Sequence, residues 1–289
     1  MTKKTMCEHC GCGQPDDFSV TGPDPGRTAH WHTHTAADGR VYSHSHPHTS
    51  AHTHESAGAQ APQPHTVSVA ESVIAYNNRL AERTRGFLRA KKIKAVNIVS
   101  SPGAGKTTLI EATLERLKGR RRCAVIVGDL ATQRDAERIR RHGVQAVQIT
   151  TGTVCHLDAQ MVAAGLEQLQ LDGLELLFIE NVGNLVCPAS YDLGEDCRVV
   201  LLPVTEGEDK PLKYPPIFHS SAAVVITKTD LSDPTGFDLA AARANIAKVA
   251  PKARTFELSA RTGTGMEPWI EFLEHLLQRP DTLLGPKHG

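Results

Sequence analysis

The chain has 289 residues, enough for one large domain or two small ones, and its 32 basic and 32 acidic side chains leave no net charge to draw it to nucleic acid or a membrane surface. No apolar stretch approaches the roughly 18 residues of a membrane-spanning helix, and Met1 to Cys7 holds no apolar core of a secretory signal. Seven cysteines, three of them between Cys7 and Cys12, suit metal or redox chemistry better than a disulfide framework, so a reducing cytoplasm is the expected location.

Ten of the fifteen histidines lie before residue 66, and this asymmetry sets a boundary. Residues 1–65 are sparse in apolar side chains and rich in Gly, Pro, Ser, Thr and His, so this segment is expected to be disordered without metal. Two features in it read as metal ligands. The first is Cys7-Glu8-His9-Cys10-Gly11-Cys12, where the thiols of Cys7, Cys10 and Cys12 can converge on one ion, with His9 or the N-terminal amine as a fourth ligand. Soft thiolates favour Ni²⁺, Zn²⁺ or Cu(I) over Mg²⁺; a redox pair is the simpler alternative. The second is the alternating run His30, His32, His34, then His44, His46, His48, then His52 and His54. Imidazoles at this spacing suit Ni²⁺, Cu²⁺ and Zn²⁺, and in a flexible chain they point to storage or buffering of several ions. The irregular spacing argues against an expression tag.

Residues 66–92 change character. Val69, Val73, Ala75, Tyr76, Leu80, Phe87 and Leu88 recur at roughly helical spacing, which predicts an amphipathic helix leading into a globular domain over 93–289. From there apolar runs at 95–99, 123–128, 145–149, 174–180, 198–204, 222–227 and 254–258 read as strands. Helical stretches at 106–119, 132–142, 156–170, 237–249 and 267–278 fill most of the gaps. This alternation predicts an α/β fold, a mostly parallel sheet with helices on both faces. Ligands in such sheets sit at the carboxyl ends of strands.

The first of these strands runs into Ser100-Ser101-Pro102-Gly103-Ala104-Gly105-Lys106-Thr107-Thr108 and then a helix, which is the context a phosphate-binding loop requires. Backbone N–H groups of Gly103, Ala104, Gly105, Lys106, Thr107 and Thr108 would surround an anion at a helix N-terminus. Lys106 would reach the outer phosphates and the Thr107 hydroxyl would hold Mg²⁺. Ser100 stands where the usual pattern has glycine.

Two acids end neighbouring strands: Asp129 after 123–128, and Glu180 at the start of Glu180-Asn181-Val182-Gly183-Asn184. Either orients Mg²⁺ directly or through water, and Gly183 sits where a switch segment senses the terminal phosphate. The strand 222–227 ends in Thr227-Lys228-Thr229-Asp230, close to the Asn-Lys-x-Asp element that reads guanine. The Asp230 carboxylate would accept from guanine's two Watson–Crick donors and be left unpaired against adenine. Lys228 would lie over the base, and Ser259-Ala260-Arg261 reads as the last base-contacting loop; Thr227 in place of Asn is a departure. Cys155-His156, placed at the start of the helix 156–170, and Cys187, past the switch-like segment, are further potential metal ligands near strand ends; buried structural cysteines are the simpler alternative.

Taken together, these stretches resemble the HypB family of nickel-incorporation GTPases, over residues 93 to about 280. The likeness is carried by the phosphate loop, Gly128-Asp129-Leu130-Ala131-Thr132, Glu180 through Ala189 and Thr205-Glu206-Gly207-Glu208-Asp209-Lys210-Pro211-Leu212-Lys213-Tyr214-Pro215. Serine at position 100 is that family's usual form. The resemblance implies a SIMIBI-class P-loop GTPase that binds GTP and GDP with Mg²⁺, with Lys106 and Asp129 in catalysis, and forms a nucleotide-dependent homodimer. It implies a Ni²⁺ or Zn²⁺ site at Cys155, His156 and Cys187 and a nickel motif at Cys7, Cys10 and Cys12. The implied role is delivery of nickel during nickel–iron hydrogenase maturation, with a second nickel chaperone and the hydrogenase large subunit as partners. Two other readings remain: a metal-storage protein with a regulatory GTPase domain, and a urease-type nickel GTPase.

Overall fold

The structure, a computed structural model, describes residues 18–22, 28–35, 41–46, 68–130 and 134–279. Three strands come first: β1 (Phe18–Thr21), β2 (Thr28–Thr35) and β3 (Val41–His46). Helix α1 (Ser68–Ala90) leads to β4 (Lys94–Val99), α2 (Lys106–Leu117), β5 (Cys123–Asp129), α3 (Arg134–Arg140) and β6 (Gln145–Thr150). Then follow α4 (Ala159–Leu166), β7 (Leu176–Glu180), β8 (Cys197–Pro203), α5 (Lys210–Lys213) and α6 (Pro215–His219). The chain continues through β9 (Ala223–Thr227), α7 (Ser232–Thr235), α8 (Leu239–Val249), β10 (Arg254–Glu257) and α9 (Met266–Gln278).

The strands form one sheet in the order β10-β9-β8-β4-β7-β5-β6-β1-β2-β3. From β10 to β6 all neighbours run parallel. Strand β4 is buried along its whole length at the centre, so the loop that follows it opens in the middle of the sheet's carboxyl edge. The seven parallel strands are those the apolar runs predict, each within two residues. Strands covered on both faces read as continuous apolar runs because neither face meets water. On one face, Leu109, Ile110 and Leu117 of α2, Ile139 of α3 and Trp269 and Leu273 of α9 pack on Val96, Val125 and Phe178. On the other, α1 and α4 bring Leu88, Met161 and Val162 onto Ala95, Ile126 and Ile179, while Phe218 and Ile246 cover Val200 and Val224.

One expectation is corrected. The helix expected over 156–170 is shorter, because the Asp158 carboxylate accepts from the Met161 N–H at 2.7 Å and caps it there. Cys155 and His156 therefore lie in the turn before the helix. Within residues 1–65, expected to be disordered without metal, three strands are described. Strand β1 adds antiparallel to β6, with Val20 opposite Ile149 and Phe18 opposite Trp31 of β2, and β2 pairs with β3. Phe18 and Val20 are 4% and 0% exposed and join the core under α4. Strand β6 offers backbone groups along its side, and two alternating apolar residues are enough to seat a strand there. Cys7, Cys10, Cys12, His48, His52 and His54 lie outside the described residues.

Candidate functional site

The turn after β4 has the backbone shape of a phosphate cradle. Gly103 and Gly105 have φ of 74° and 97°, the left-handed region that glycine enters without strain. Helix α2 begins directly at Lys106, so its unpaired N–H groups face the turn. Lys106 is buried, and its Nζ donates to Ser100 Oγ at 3.2 Å. Burial lowers the Lys106 pKa, and the charges of Glu180, Asp135 and Asp129 oppose that fall.

Beside it, the Thr107 hydroxyl donates to Glu180 Oε1 at 2.7 Å. Burial pushes the Glu180 carboxyl up to about 7, against the pull of Lys106 and the Thr107 hydrogen bond. Its second oxygen, Oε2, is buried with no hydrogen-bond partner. A buried carboxylate oxygen left unpaired next to a threonine hydroxyl is the donor set of a hard cation, so these residues fit Mg²⁺. Asp129 ends β5 on the same side and acts on Lys106 through its charge. Asp135 and Arg138 of α3 also face this centre. Arg138 donates to Thr108 Oγ1 at 3.2 Å and to Glu111 Oε2 at 2.5 Å. Their helical pattern resembled any solvated face, so the sequence carried no signal for them.

A cleft of about 240 Å³ adjoins the cradle, lined by Ala104, Thr108, Lys228, Asp230, Ser259 and Ala260. The expected base-reading residues therefore converge. Thr227, the departure from Asn, donates its hydroxyl to the Ala104 carbonyl at 2.8 Å, and Lys228 Nζ donates to the Gly103 carbonyl at 2.8 Å. Both ties fasten the loop after β9 to the turn after β4, so threonine here still links the two.

Cys155, His156 and Cys187 place one ligand atom each within 4.8 Å of one another. The two sulfurs are 3.1 Å apart. His156 is pushed down to about 4 by burial, so it is a neutral imidazole, the form that binds a metal. Its Nδ1 is buried with no partner, and the Tyr191 ring lies 3.9 Å from it, centroid to centroid. Two thiols and an imidazole fit Ni²⁺ or Zn²⁺.

Residues 180–187 connect the two centres. Glu180 meets Thr107 at one end and Cys187 stands at the other. Between them, Gly183 lies so close to the phosphate loop that a Cβ there would come within 2.9 Å of Pro102 Cα. Asn181 Oδ1 accepts from the Leu157 N–H at 3.1 Å, and Asn184 Nδ2 donates to the Cys155 carbonyl at 3.3 Å. These asparagines pin the turn that carries Cys155 and His156 to the switch-like segment, and their separation of 24 and 29 residues from their partners hid the role in the sequence.

The family model "CobW/HypB/UreG, nucleotide-binding domain" matches residues 94–257. The hydrogenase maturation factor HypB of Escherichia coli strain K12 is 50% identical over 212 residues, spanning 73% of each chain. The crystal structure of HypB from Archaeoglobus fulgidus superposes with a TM-score of 0.67 at 43% identity, covering 71% of this chain and all of that one. HypB from Helicobacter pylori, solved in complex with nickel, gives 0.68 at 38% identity, covering 70% of this chain and 95% of that one. The chain belongs to the CobW/HypB/UreG family of nucleotide-binding proteins and, within it, to the HypB hydrogenase maturation factors.

Proposed function

We propose that this chain is a GTP-hydrolysing nickel metallochaperone that stores nickel and delivers it during nickel–iron hydrogenase maturation. Residues 180–187, which touch the phosphate cradle at one end and supply a metal ligand at the other, carry the reading.

GTP lies with its phosphates in the turn 102–107 and its base in the cleft against Asp230. On binding, Lys106 leaves Ser100 for the outer phosphates and stays charged beside Glu180 and Asp129. Thr107, Glu180 and Asp129 would hold Mg²⁺, which would supply charge neutralisation on the transferred phosphoryl group. Fixed charges of this kind in a water-poor site account for about 10²–10³ in rate apiece. Among the described residues none is assigned to activating water, and the expected turnover is slow by itself and sped by a partner or a metal. The third phosphate meets Gly183, shifting Asn181 and Asn184 and with them Cys155, His156 and Cys187. Nickel is the cargo at these three residues, with Zn²⁺ a chemically competent occupant. Cys7, Cys10, Cys12 and the histidines hold the reserve. A nucleotide-dependent homodimer, a second nickel chaperone and the hydrogenase large subunit are the expected partners, in the cytoplasm; among the described residues no helix is long and apolar enough to cross a membrane.

The test is nickel affinity of the full chain and its Cys187→Ala variant, with GDP and with a non-hydrolysable GTP analogue. The reading requires an affinity that depends on nucleotide in the wild type and a dependence that vanishes in the variant. Equal affinity in both nucleotide states of the wild type refutes it.

A further inference from the structure

The centre formed by Cys155, His156 and Cys187 has two arms, and a side chain that belongs to neither ties them together. The first arm is the turn 155–159 leading into α4. The second is the one-turn 3₁₀ helix Cys187–Ser190, followed by Tyr191 and Asp192. Asn77 of α1 is buried between them, at 4% exposure. Its Oδ1 accepts from the Ala159 N–H at 2.9 Å, and its Nδ2 donates to the Asp192 carbonyl at 2.9 Å. One partner is a donor and the other an acceptor, and a side-chain amide carries one group for each at a fixed separation. Both contacts fall close to the ligands. Ala159 lies in the same turn as Cys155 and His156, and Asp192 directly follows Tyr191, whose ring lies against that of His156.

Helix α1 grips the second arm along one side. Asn77, Ala81 and Arg85 recur every four residues and so share a face. Arg85 donates to both carboxylate oxygens of Asp192, at 2.7 and 2.5 Å. Gly194 has a φ of 83° and passes so close to the helix that a Cβ there would lie 2.7 Å from the Ala81 carbonyl oxygen. The second arm is thus anchored on α1, and Asn77 carries that anchorage across to the first. Asn181 and Asn184 hold the first arm from the switch-like segment, so the turn is held from two sides.

We propose that Asn77 is a positioning residue of the metal centre, its amide fixing the separation of the two arms and with it how closely Cys155, His156 and Cys187 gather round an ion. The inference rests on the reading of these three residues as the nickel site. It makes α1 part of that site's frame. Asn77→Asp keeps the acceptor for Ala159 but sets an oxygen against the Asp192 carbonyl oxygen, at nearly unchanged volume. Asn77→Ala releases both arms.

The experiment uses the full chain carrying Cys7→Ser, Cys10→Ser and Cys12→Ser, which removes the N-terminal thiols from every signal. The first readout is the nickel–thiolate charge-transfer absorption during titration with Ni²⁺. The second, without metal, is the Cys155–Cys187 bridge at equilibrium with a glutathione buffer; the pair gives two electrons and two protons to oxidised glutathione, which leaves as two reduced molecules. The control is Thr113→Val, which removes the buried hydrogen bond that the Trp269 indole donates to Thr113 at 2.9 Å, in the core between α2 and α9. Chemical denaturation reads the stability lost in each variant. Both Asn77 variants should bind nickel about tenfold more weakly or worse, the lower end of what loss of an outer-shell partner costs, with an altered charge-transfer band. They should also form the bridge less readily by a similar factor. Thr113→Val should lose stability and change neither readout. An unchanged bridge in both Asn77 variants, or an equal shift in Thr113→Val, overturns the clasp. A shifted bridge with unchanged nickel absorption, or no thiolate band in the parent chain, overturns the nickel reading and leaves the clasp to stand on the bridge.

Discussion

Cys155 Sγ lies 3.1 Å from Cys187 Sγ, although 32 residues separate them in sequence. That is about 1 Å beyond a disulfide bond, so a small rotation joins them once an oxidant removes two electrons and two protons. Metal-free protein treated with hydrogen peroxide should form a Cys155–Cys187 bridge, which consumes two thiols beyond any lost at Cys7, Cys10 and Cys12, while in the nickel-loaded chain this pair resists. Thiol titration and peptide mass mapping read the outcome; equal oxidation with and without metal would show that the ion is held elsewhere.

Glu180 gives a pH dependence with a definite sign. Its carboxyl is raised from 4.5 to about 7 in the empty protein. A raised acid favours folding below its unfolded value, and that stability is lost as pH climbs from about 4.5 to about 7, by up to about 3 kcal/mol. Cation binding needs the carboxylate, so Mg²⁺-dependent nucleotide affinity should rise between pH 6 and 8. Glu180→Gln should flatten both profiles, read by chemical denaturation and nucleotide titration.

Asn184 should transmit and not bind. Asn184→Ala removes the tie to the Cys155 carbonyl and leaves all three metal ligands in place. Nickel affinity in the GDP state should stay within about threefold of wild type, as a half-exposed hydrogen bond contributes about 1 kcal/mol or less. The ratio between nucleotide states should fall toward one. An unchanged ratio places the coupling on another route.

Asp230 should set base choice. Asp230→Ala removes the acceptor for guanine's two donors while leaving the ties of Thr227 and Lys228 to the phosphate loop. The preference for GTP over ATP should drop by about 10²–10⁴, with phosphate contacts intact. Competition binding with the two nucleotides measures it.

Much of this was legible in the sequence because it is local. Gly103 and Gly105, Lys106 and Thr107 form one turn, and each parallel strand is a short apolar run whose end residue marks the site. Non-local pairings were not legible. Asn181 finds Leu157, and Glu206 accepts from the Ser101 hydroxyl beside the phosphate loop, across gaps that no periodicity reports. The hairpin was hidden differently. Its alternation has the period of a strand, but histidine, serine and threonine in those places look like ligand spacing.

The antiparallel seating of β1 on β6 changes what a shortened chain means. A chain cut at residue 66 would lose more than metal ligands. It would strip Phe18 and Val20 from beside Val147 and Ile149 and leave the amides of β6 facing water as an open template. Such a fragment should stick to copies of itself, strand against strand. Its lowered activity would then report clumping as much as a missing nickel reserve. Point changes to histidine or cysteine in the intact chain separate the two.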